Sequence, residues 1–138
     1  MPFLIFSFVL AAAGICRAEV PLDKRYEQLT SEQKRLVRSS YGPMGRYDEP
    51  PFPLHGLKQL ILSAEEGANR ARAAGELDIR VVVGADGKAR SARIYKAPDR
   101  QMARTLAAQL LNEAYKPGRC AGRPCAQEFR LHLRFKPK

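Results

Sequence analysis

Two cysteines near the end of the chain are the residues whose type and spacing most directly suggest chemistry. Cys120 and Cys125 lie around a Gly-Arg-Pro turn, with four residues between them. Redox pairs favour two intervening residues, and a metal site would need His132 or His55 without any supporting spacing. The pattern therefore favours a structural disulfide, which for so short a loop contributes about 2 kcal/mol to stability by the loop-entropy estimate. A redox pair and a metal site are the alternatives.

Other combinations of catalytic residue types are sparse. The two histidines, His55 and His132, have no serine and aspartate in a recognisable triad order, and no glycine-rich phosphate loop occurs. Glu65 and Glu66 are adjacent, so on a helix they point in different directions and form no acid pair. The sequence therefore predicts a protein that is not an enzyme, with no catalytic residues, no metal and no cofactor.

The first eighteen residues have the pattern of a secretory signal. An uncharged apolar run extends from Pro2 to Ile15, and Cys16 and Ala18 place small residues at the −3 and −1 positions of a cut after Ala18. The run is short for a membrane span, which needs about 20 apolar residues. The bulky Ile15 before Cys16 argues against lipid attachment. We expect residues 1–18 to be a cleaved signal peptide and the protein to be periplasmic, or membrane-anchored if the signal is retained.

The charge of the chain is strongly positive, with a formal net charge of +10 at pH 7. In a cytosolic protein this would suggest nucleic acid as the partner, but export argues against that partner. The envelope offers other polyanions, such as lipid headgroups and anionic cell-wall polymers. Export would also remove Cys16 and leave an even number of cysteines in an oxidising compartment, which again favours a bridge between Cys120 and Cys125.

The elements that must position these residues follow from the apolar pattern. Residues 19–53 are expected to form an N-terminal arm, a short helix and a Pro-rich connector. Thr30 and Gln33 match a capping box at the start of this helix, and Gly42-Pro43 ends it. The connector over residues 42–53 holds four prolines. Three of its apolar residues are expected to pin it to the domain: Met44, Tyr47 and Phe52.

Residues 54–138 are expected to form the main domain. A helix from about Leu54 to Ala73 carries one apolar stripe, and Gly75 is its natural stop. Two strands then form a hairpin about the Asp86-Gly87 turn, the second running from Ala89 to Lys96. The first strand directs four residues to one face: Leu77, Ile79, Val81 and Val83. Asp99 caps a further amphipathic helix, and a last strand begins at Gln127.

This order, two helices followed by β-β-α-β, predicts an α+β fold with a small antiparallel three-stranded sheet. Helices would cover one face of the sheet, and the other face would be open to water. The last strand would direct four residues inward: Phe129, Leu131, Leu133 and Phe135. The open face would be cationic, through four arginines: Arg80, Arg93, Arg130 and Arg134.

The hairpin, helix and last strand together resemble the C-terminal domain of the TonB family. That family combines a G-x-V-x-V-x-V-x-x-D-G hairpin, a helix of small and apolar residues, an aromatic-x-Pro step and a strand closing on an aromatic residue. The resemblance covers about residues 75–136. The matching positions are Gly75, Leu77, Ile79, Val81, Asp86, Gly87, Tyr115, Pro117, Gly122, Pro124 and Phe135.

The resemblance implies a mechanical or binding role. Domains of this family couple an inner-membrane proton-driven motor to outer-membrane transporters, and they grip a transporter peptide by adding it as a strand at a sheet edge. If the signal is cut, the chain lacks the family's membrane anchor, and its connector of twelve residues is no long spacer. The resemblance thus implies a periplasmic module that binds a transporter peptide or another envelope protein. The receiving edge would be the last strand: Gln127, Glu128, Phe129, Arg130, Leu131, His132, Leu133, Arg134 and Phe135.

Two other binding modes stay open. In the first, the cationic face together with Arg119 and Arg123 binds anionic envelope polymers or lipids. In the second, the exposed strand edge pairs with a second copy, so that the protein is a dimer rather than a monomer. Salt separates polyanion binding from strand addition, because only the former weakens steeply as the salt concentration rises.

Overall fold

The computed structural model describes residues 4–6 and 20–137. These ranges contain three α-helices, namely α1 (Ser31–Ser39), α2 (Lys58–Ala71) and α3 (Arg100–Leu111), and a 3₁₀ turn at Tyr26–Gln28. The strands are β1 (Leu4–Phe6), β2 (Phe52–Pro53), β3 (Gly75–Val83), β4 (Ala89–Lys96), β5 (Tyr115–Lys116), β6 (Gly118–Cys120), β7 (Arg123–Cys125) and β8 (Gln127–Phe135). The predicted signal peptide falls, apart from β1, outside the described residues. In the described part, no helix has the length and apolar character that a membrane span requires.

The main sheet is antiparallel, with strand order β1-β8-β3-β4. Strand β3 lies between β4 and β8, so that Val81 faces Ala92 on one side and Phe129 on the other. The sheet has four strands rather than the three predicted, because β1 adds to the outer edge of β8. Strand β1 was not predicted, since an uninterrupted apolar run lacks the alternation of a half-buried strand. The predicted α+β class is confirmed.

Two of the helices begin at the caps predicted for them. The Gln33 N–H donates to Thr30 Oγ1 at 3.1 Å, and the Thr30 N–H donates to Gln33 Oε1 at 2.8 Å, which completes the capping box of α1. The Met102 N–H donates to Asp99 Oδ2 at 2.9 Å at the start of α3. These caps satisfy N–H groups that have no partner inside the helix.

Helix α2 is shorter than the predicted range of Leu54 to Ala73. A tight turn precedes it, in which Gly56 has a φ of +86° and its N–H donates to the Pro53 carbonyl at 3.1 Å. At the other end Arg72 adopts the left-handed conformation, with a φ of 52°, and so ends the helix before Gly75. The predicted boundaries were wrong because both ends depend on left-handed residues whose positions the apolar stripe does not show.

One hydrophobic core joins the helices to the inner face of the sheet. The inward residues predicted for β3 and β8 all lie in it, each at most 1% exposed: Leu77, Ile79, Val81, Val83, Phe129, Leu131, Leu133 and Phe135. The same core contains residues from before the boundary predicted at residue 53: Val20, Tyr26, Leu29, Val37 and Phe52. The N-terminal part therefore packs as one body with the sheet and its helices.

Phe52 anchors the Pro-rich connector in this core, as predicted. Its strand β2 pairs with β5, and its ring centroid lies 5.8 Å from that of Tyr26 and 6.4 Å from that of Phe129. The same prediction for Tyr47 was wrong, since this residue is 65% exposed. The chain at Tyr47 is held by its backbone instead, because its carbonyl accepts a 3.0 Å hydrogen bond from the Gly122 N–H.

Candidate functional site

The predicted partner-binding edge, Gln127–Phe135, is strand β8. Its inward residues are buried, and the residues between them, such as His132, lie on the outer face of the sheet. The Arg130 N–H donates to the hydroxyl of Tyr41 and therefore points away from β3. Because backbone N–H and C=O groups alternate in direction along a strand, those of His132 and Arg134 point to the same outer edge.

The end of α1 covers this edge at Arg130. The Tyr41 hydroxyl accepts from the Arg130 N–H at 3.1 Å, and the Ser40 carbonyl accepts from Arg130 Nη1 at 3.1 Å. The Arg130 guanidinium also lies 5.3 Å from the centre of the Tyr41 ring. Burial raises the pKa of the Tyr41 hydroxyl far above its ordinary value, so this group stays protonated at neutral pH. A strand added along the whole predicted edge would therefore collide with the end of α1 at Arg130.

Beyond His132 the outer edge of β8 is paired with β1. Leu4 lies opposite Phe135, Ile5 opposite Arg134 and Phe6 opposite Leu133, in antiparallel register. The stretch over residues 133–135 thus has the backbone geometry of a strand that accepts a neighbour on its outer side. The predicted binding edge is in two parts, one closed by α1 and one paired with a three-residue strand.

The predicted cationic face contains three arginines side by side. On β3, Arg80 lies directly opposite Arg93 of β4 and directly opposite Arg130 of β8. Arg80 is held by two neighbours, since its guanidinium carbon lies 4.1 Å from the centre of the Tyr95 ring and its Nη2 lies 3.4 Å from Asp78 Oδ2. Like charges directly opposite each other disfavour the sheet, and the ion pair with Asp78 offsets part of this repulsion at Arg80.

The fourth predicted arginine, Arg134, belongs to a separate charge cluster around Glu76. Arg134 Nη2 lies 2.6 Å from Glu76 Oε1, and Lys96 Nζ lies 3.0 Å from Glu76 Oε2. His132 Nε2 lies 3.5 Å from the same oxygen. The hydrogen bonds from Arg134 and then Lys96 lower the pKa of Glu76 from its ordinary 4.5 to about 2. This end of the outer face is therefore partly neutralised by Glu76, as the row at Arg80 is by Asp78.

The predicted disulfide between Cys120 and Cys125 is present, with a Cα–Cα distance of 5.8 Å. It closes a hairpin of β6 and β7, and Gln127 Nε2 lies 3.2 Å from the sulfur of Cys125. The hairpin also pairs with the connector, because the Glu49 N–H donates to the Arg119 carbonyl at 2.9 Å and the Arg119 N–H donates back at 2.8 Å.

The residue types considered for catalysis are dispersed. His55 is exposed beside the turn before α2, whereas His132 lies next to Glu76 on the sheet. Glu66 pairs along its own helix with Arg70 at 2.5 Å. Among the described residues, no three side chains of His, Cys, Asp or Glu come together in a way that would hold a metal ion.

Comparison with protein-family models, with curated proteins and with solved structures finds no significant match to this chain.

Two residues that shape these surfaces were not singled out from the sequence. Tyr41 precedes the Gly42-Pro43 helix stop, and nothing in its neighbourhood signals that its hydroxyl meets a strand 89 residues away. Tyr95 lies on the outer face of β4, but its stacking with Arg80 depends on the register of β3 and β4. That register shifts between Asp78 and Ile79, an irregularity that the Asp-Gly turn alone does not reveal.

Proposed function

We propose that this protein is a periplasmic, non-enzymatic binding module of the TonB C-terminal type. It receives a peptide of an outer-membrane transporter, or of another envelope protein, as an added strand on the outer edge of β8. The observation that carries the proposal is the edge at residues 133–135, whose backbone already accepts an extended segment of the same chain. Main-chain hydrogen bonds of this kind give affinity without any reactive group.

Strand addition at this edge has a rigid support. Leu133 and Phe135 are at most 1% exposed, and β3 pairs with the whole length of β8, so the receiving strand is already held in its bound conformation. A preorganised edge lowers the cost of ordering on binding. The backbone groups of His132 and Arg134 face the incoming strand. In this proposal, the predicted removal of residues 1–18 takes β1 away and leaves the edge open for a partner.

The outer face beside this edge indicates what the partner carries. The Arg134 side chain is 60% exposed although it pairs with Glu76, and it projects next to the position of an added strand. Opposite charges on neighbouring strands attract, each pair contributing roughly 0.2–1 kcal/mol. A partner strand with an acidic residue opposite Arg134 is therefore favoured over one with a basic residue there.

A titration followed by nuclear magnetic resonance tests the proposal. Isotope-labelled protein, isolated after secretion, is titrated with periplasm-facing peptides of outer-membrane transporters. The matched control is the same peptide with proline at its central position, since proline lacks the N–H that strand pairing needs. We expect saturable shift changes at residues 132–135 with the native peptide and none with the proline peptide. No binding, or equal binding of the proline peptide, would contradict strand addition.

Pairing of two copies through the same edge is the competing outcome. It would appear as a concentration-dependent mass in light scattering and as shift changes at residues 132–135 without any peptide. A single mass of 15.4 kDa less the removed segment would leave the edge free for a peptide.

A second candidate function is binding of an anionic envelope polymer on the outer face. The row formed by Arg93, Arg80 and Arg130 favours it, because three like charges lie directly side by side and Arg93 has no ion pair among the described residues. Of the other residues named for this function, Arg119 is engaged with Glu49 at 3.7 Å, whereas Arg123 is exposed. Arg93→Gln should weaken polymer binding and its salt dependence, and it should leave peptide binding at β8 unchanged.

A further inference from the structure

A cleft of about 1040 Å³ lies between α1, the connector around Tyr47 and the disulfide hairpin. It is separate from the outer edge of β8 and from the arginine row on the sheet. Tyr26, only 3% exposed, forms part of its lining, with Lys34 Nζ 5.3 Å and Lys116 Nζ 4.7 Å from the centre of its ring. Two lysine side chains thus converge at the buried Tyr26 ring in the wall of the cleft.

Most carboxylates of the cleft are already engaged. Asp48 accepts hydrogen bonds of 2.7 Å from the backbone N–H groups of Gly45 and Ala121. Glu49 lies 3.1 Å from Lys116 Nζ, and Glu32 lies 3.7 Å from an Arg35 nitrogen. Glu32 and Glu49 thus pair with cations of the same walls, and Asp48 is held by backbone N–H groups. With Glu27 the lining has four carboxylates against six lysine and arginine side chains, so an excess of positive charge remains.

Three cations of the cleft have no carboxylate partner among the described residues, namely Lys34, Arg38 and Arg46. Lys34 lies against the Tyr26 ring, and Arg46 lies against the Tyr47 ring at 5.7 Å. Arg38 donates through Nη2 to the Gly45 carbonyl at 2.8 Å, but its Nε is buried without an acceptor. This guanidinium therefore keeps a hydrogen-bonding capacity that the described protein groups do not satisfy.

We infer that this cleft is a binding site for a phosphate group. Phosphate presents several acceptor oxygens and more than one negative charge, so it matches cations that approach from α1 and from the connector at once. The cleft is far larger than one phosphate, and its lining includes the rings of Tyr26, Tyr47 and Pro117. The ligand class is accordingly a phosphate ester with an organic part, from a lipid headgroup or from a soluble phosphate compound.

The disulfide hairpin maintains one wall of this site. The Gly122 N–H donates to the Tyr47 carbonyl at 3.0 Å, and Arg119 and Glu49 exchange two backbone hydrogen bonds. The Cys120–Cys125 bridge closes the hairpin that makes these bonds. Replacing both cysteines with serine should therefore loosen this wall and weaken phosphate binding, although neither sulfur atom touches the ligand in this proposal.

The test uses two probes that separate the sources of phosphate. Pyrophosphate is titrated by calorimetry at low salt, and vesicles of phosphatidylglycerol are compared with vesicles of phosphatidylcholine by co-sedimentation. The variants are Lys34→Gln and Arg46→Gln, together and singly. The matched control is Arg104→Gln, which removes the same charge from the exposed side of α3 and lies outside the cleft.

We expect the double variant to lose about tenfold or more in affinity for pyrophosphate, or for the anionic vesicles if the source is lipid, while the control stays within about twofold. Loss of vesicle binding alone would assign a lipid headgroup, and loss of pyrophosphate binding alone would assign a soluble compound. No saturable binding of either probe, or an equal loss in Arg104→Gln, would overturn the site. Peptide binding at β8 should be the same in all variants, so this result is independent of the proposed function.

Discussion

The carboxylate of Asp48 accepts a 2.7 Å hydrogen bond from the backbone N–H of Ala121, 73 residues further along the chain. Its other oxygen accepts from the Gly45 N–H, also at 2.7 Å. Both bonds favour the ionised carboxylate, and that from Ala121 makes the larger contribution to lowering the pKa of Asp48. Asp48 therefore joins the connector to the turn of the disulfide hairpin, so that the bridge and this carboxylate hold the same part of the molecule.

Removing the bridge should lower the stability of the protein and reduce the contribution that Asp48 makes to it. We expect Cys120→Ser with Cys125→Ser to lower the free energy of unfolding by about 2 kcal/mol, since the loop is short. Asp48→Asn should cost less in this background than in the native protein, because a loosened hairpin no longer presents Ala121 in place. Urea denaturation of the four proteins measures the coupling. Additive effects, or unfolding that a reductant leaves unchanged, would contradict this view of the bridge.

Phe52 should be a major core residue although it lies in the connector. Its ring is 1% exposed and contacts the rings of Tyr26 and Phe129, so Phe52→Ala should cost about 3–5 kcal/mol of unfolding free energy. Tyr47→Ala, five residues earlier and at an exposed ring, serves as the control and should cost about 0.5 kcal/mol or less. Comparable losses for the two variants would mean that the connector does not pack as described.

Gly87 should tolerate no side chain at the hairpin turn. Its φ is +82°, and a Cβ there would collide with the backbone carbonyl oxygen of Tyr115. Gly122 has nearly the same φ, +83°, but a Cβ there would meet no atom within 4 Å. We therefore expect Gly122→Ala to cost about 1 kcal/mol in conformational strain and Gly87→Ala to cost roughly 1–3 kcal/mol more through the collision. Thermal unfolding of the two variants checks this. Equal melting temperatures would show that the turn accommodates a side chain at Gly87 without a further loss of stability.

Acid should destabilise the protein partly through Glu76. Hydrogen bonds from Arg134 and Lys96 lower its pKa from 4.5 to about 2 in the folded state, so the unfolded chain binds the proton more readily. The stability that Glu76 contributes is complete above the unfolded value, and it is lost as the pH falls from about 4.5 towards 2. Glu76→Gln should therefore show a shallower decline of melting temperature over this range. A decline as steep as that of the native protein would mean that groups other than Glu76 cause the acid sensitivity.

The sequence predicted the main elements best where one face of an element is buried. The alternation in β3 and β8 places Ile79 and Leu131 inward, and the structure has both at 0% exposure. The caps at Thr30 and Asp99 were also predicted, because they depend on neighbouring residues only.

Features set by long-range contacts were beyond such patterns. Strand β2 forms only because Phe52–Pro53 meets Tyr115–Lys116, and the cleft around Tyr26 forms only because α1 meets the disulfide hairpin. The spacing of residues along the chain carries no information on these long-range contacts. For the candidate site, the choice of β8 rests on its alternation and on a family resemblance. The contact of Tyr41 with the outer edge at Arg130 could not be predicted from the sequence.

Hydrogen exchange of the backbone amides of β8 tests the central claim most directly. The N–H groups of His132 and Arg134 point to the outer edge, whereas those of Leu131 and Leu133 point to β3 and serve as internal controls. In protein prepared without residues 1–18, a saturating peptide of an outer-membrane transporter should slow exchange at His132 and Arg134 by about tenfold or more and leave the two controls unchanged. Unchanged exchange at His132 and Arg134 under saturation, or protection on β4 instead, would contradict strand addition at β8.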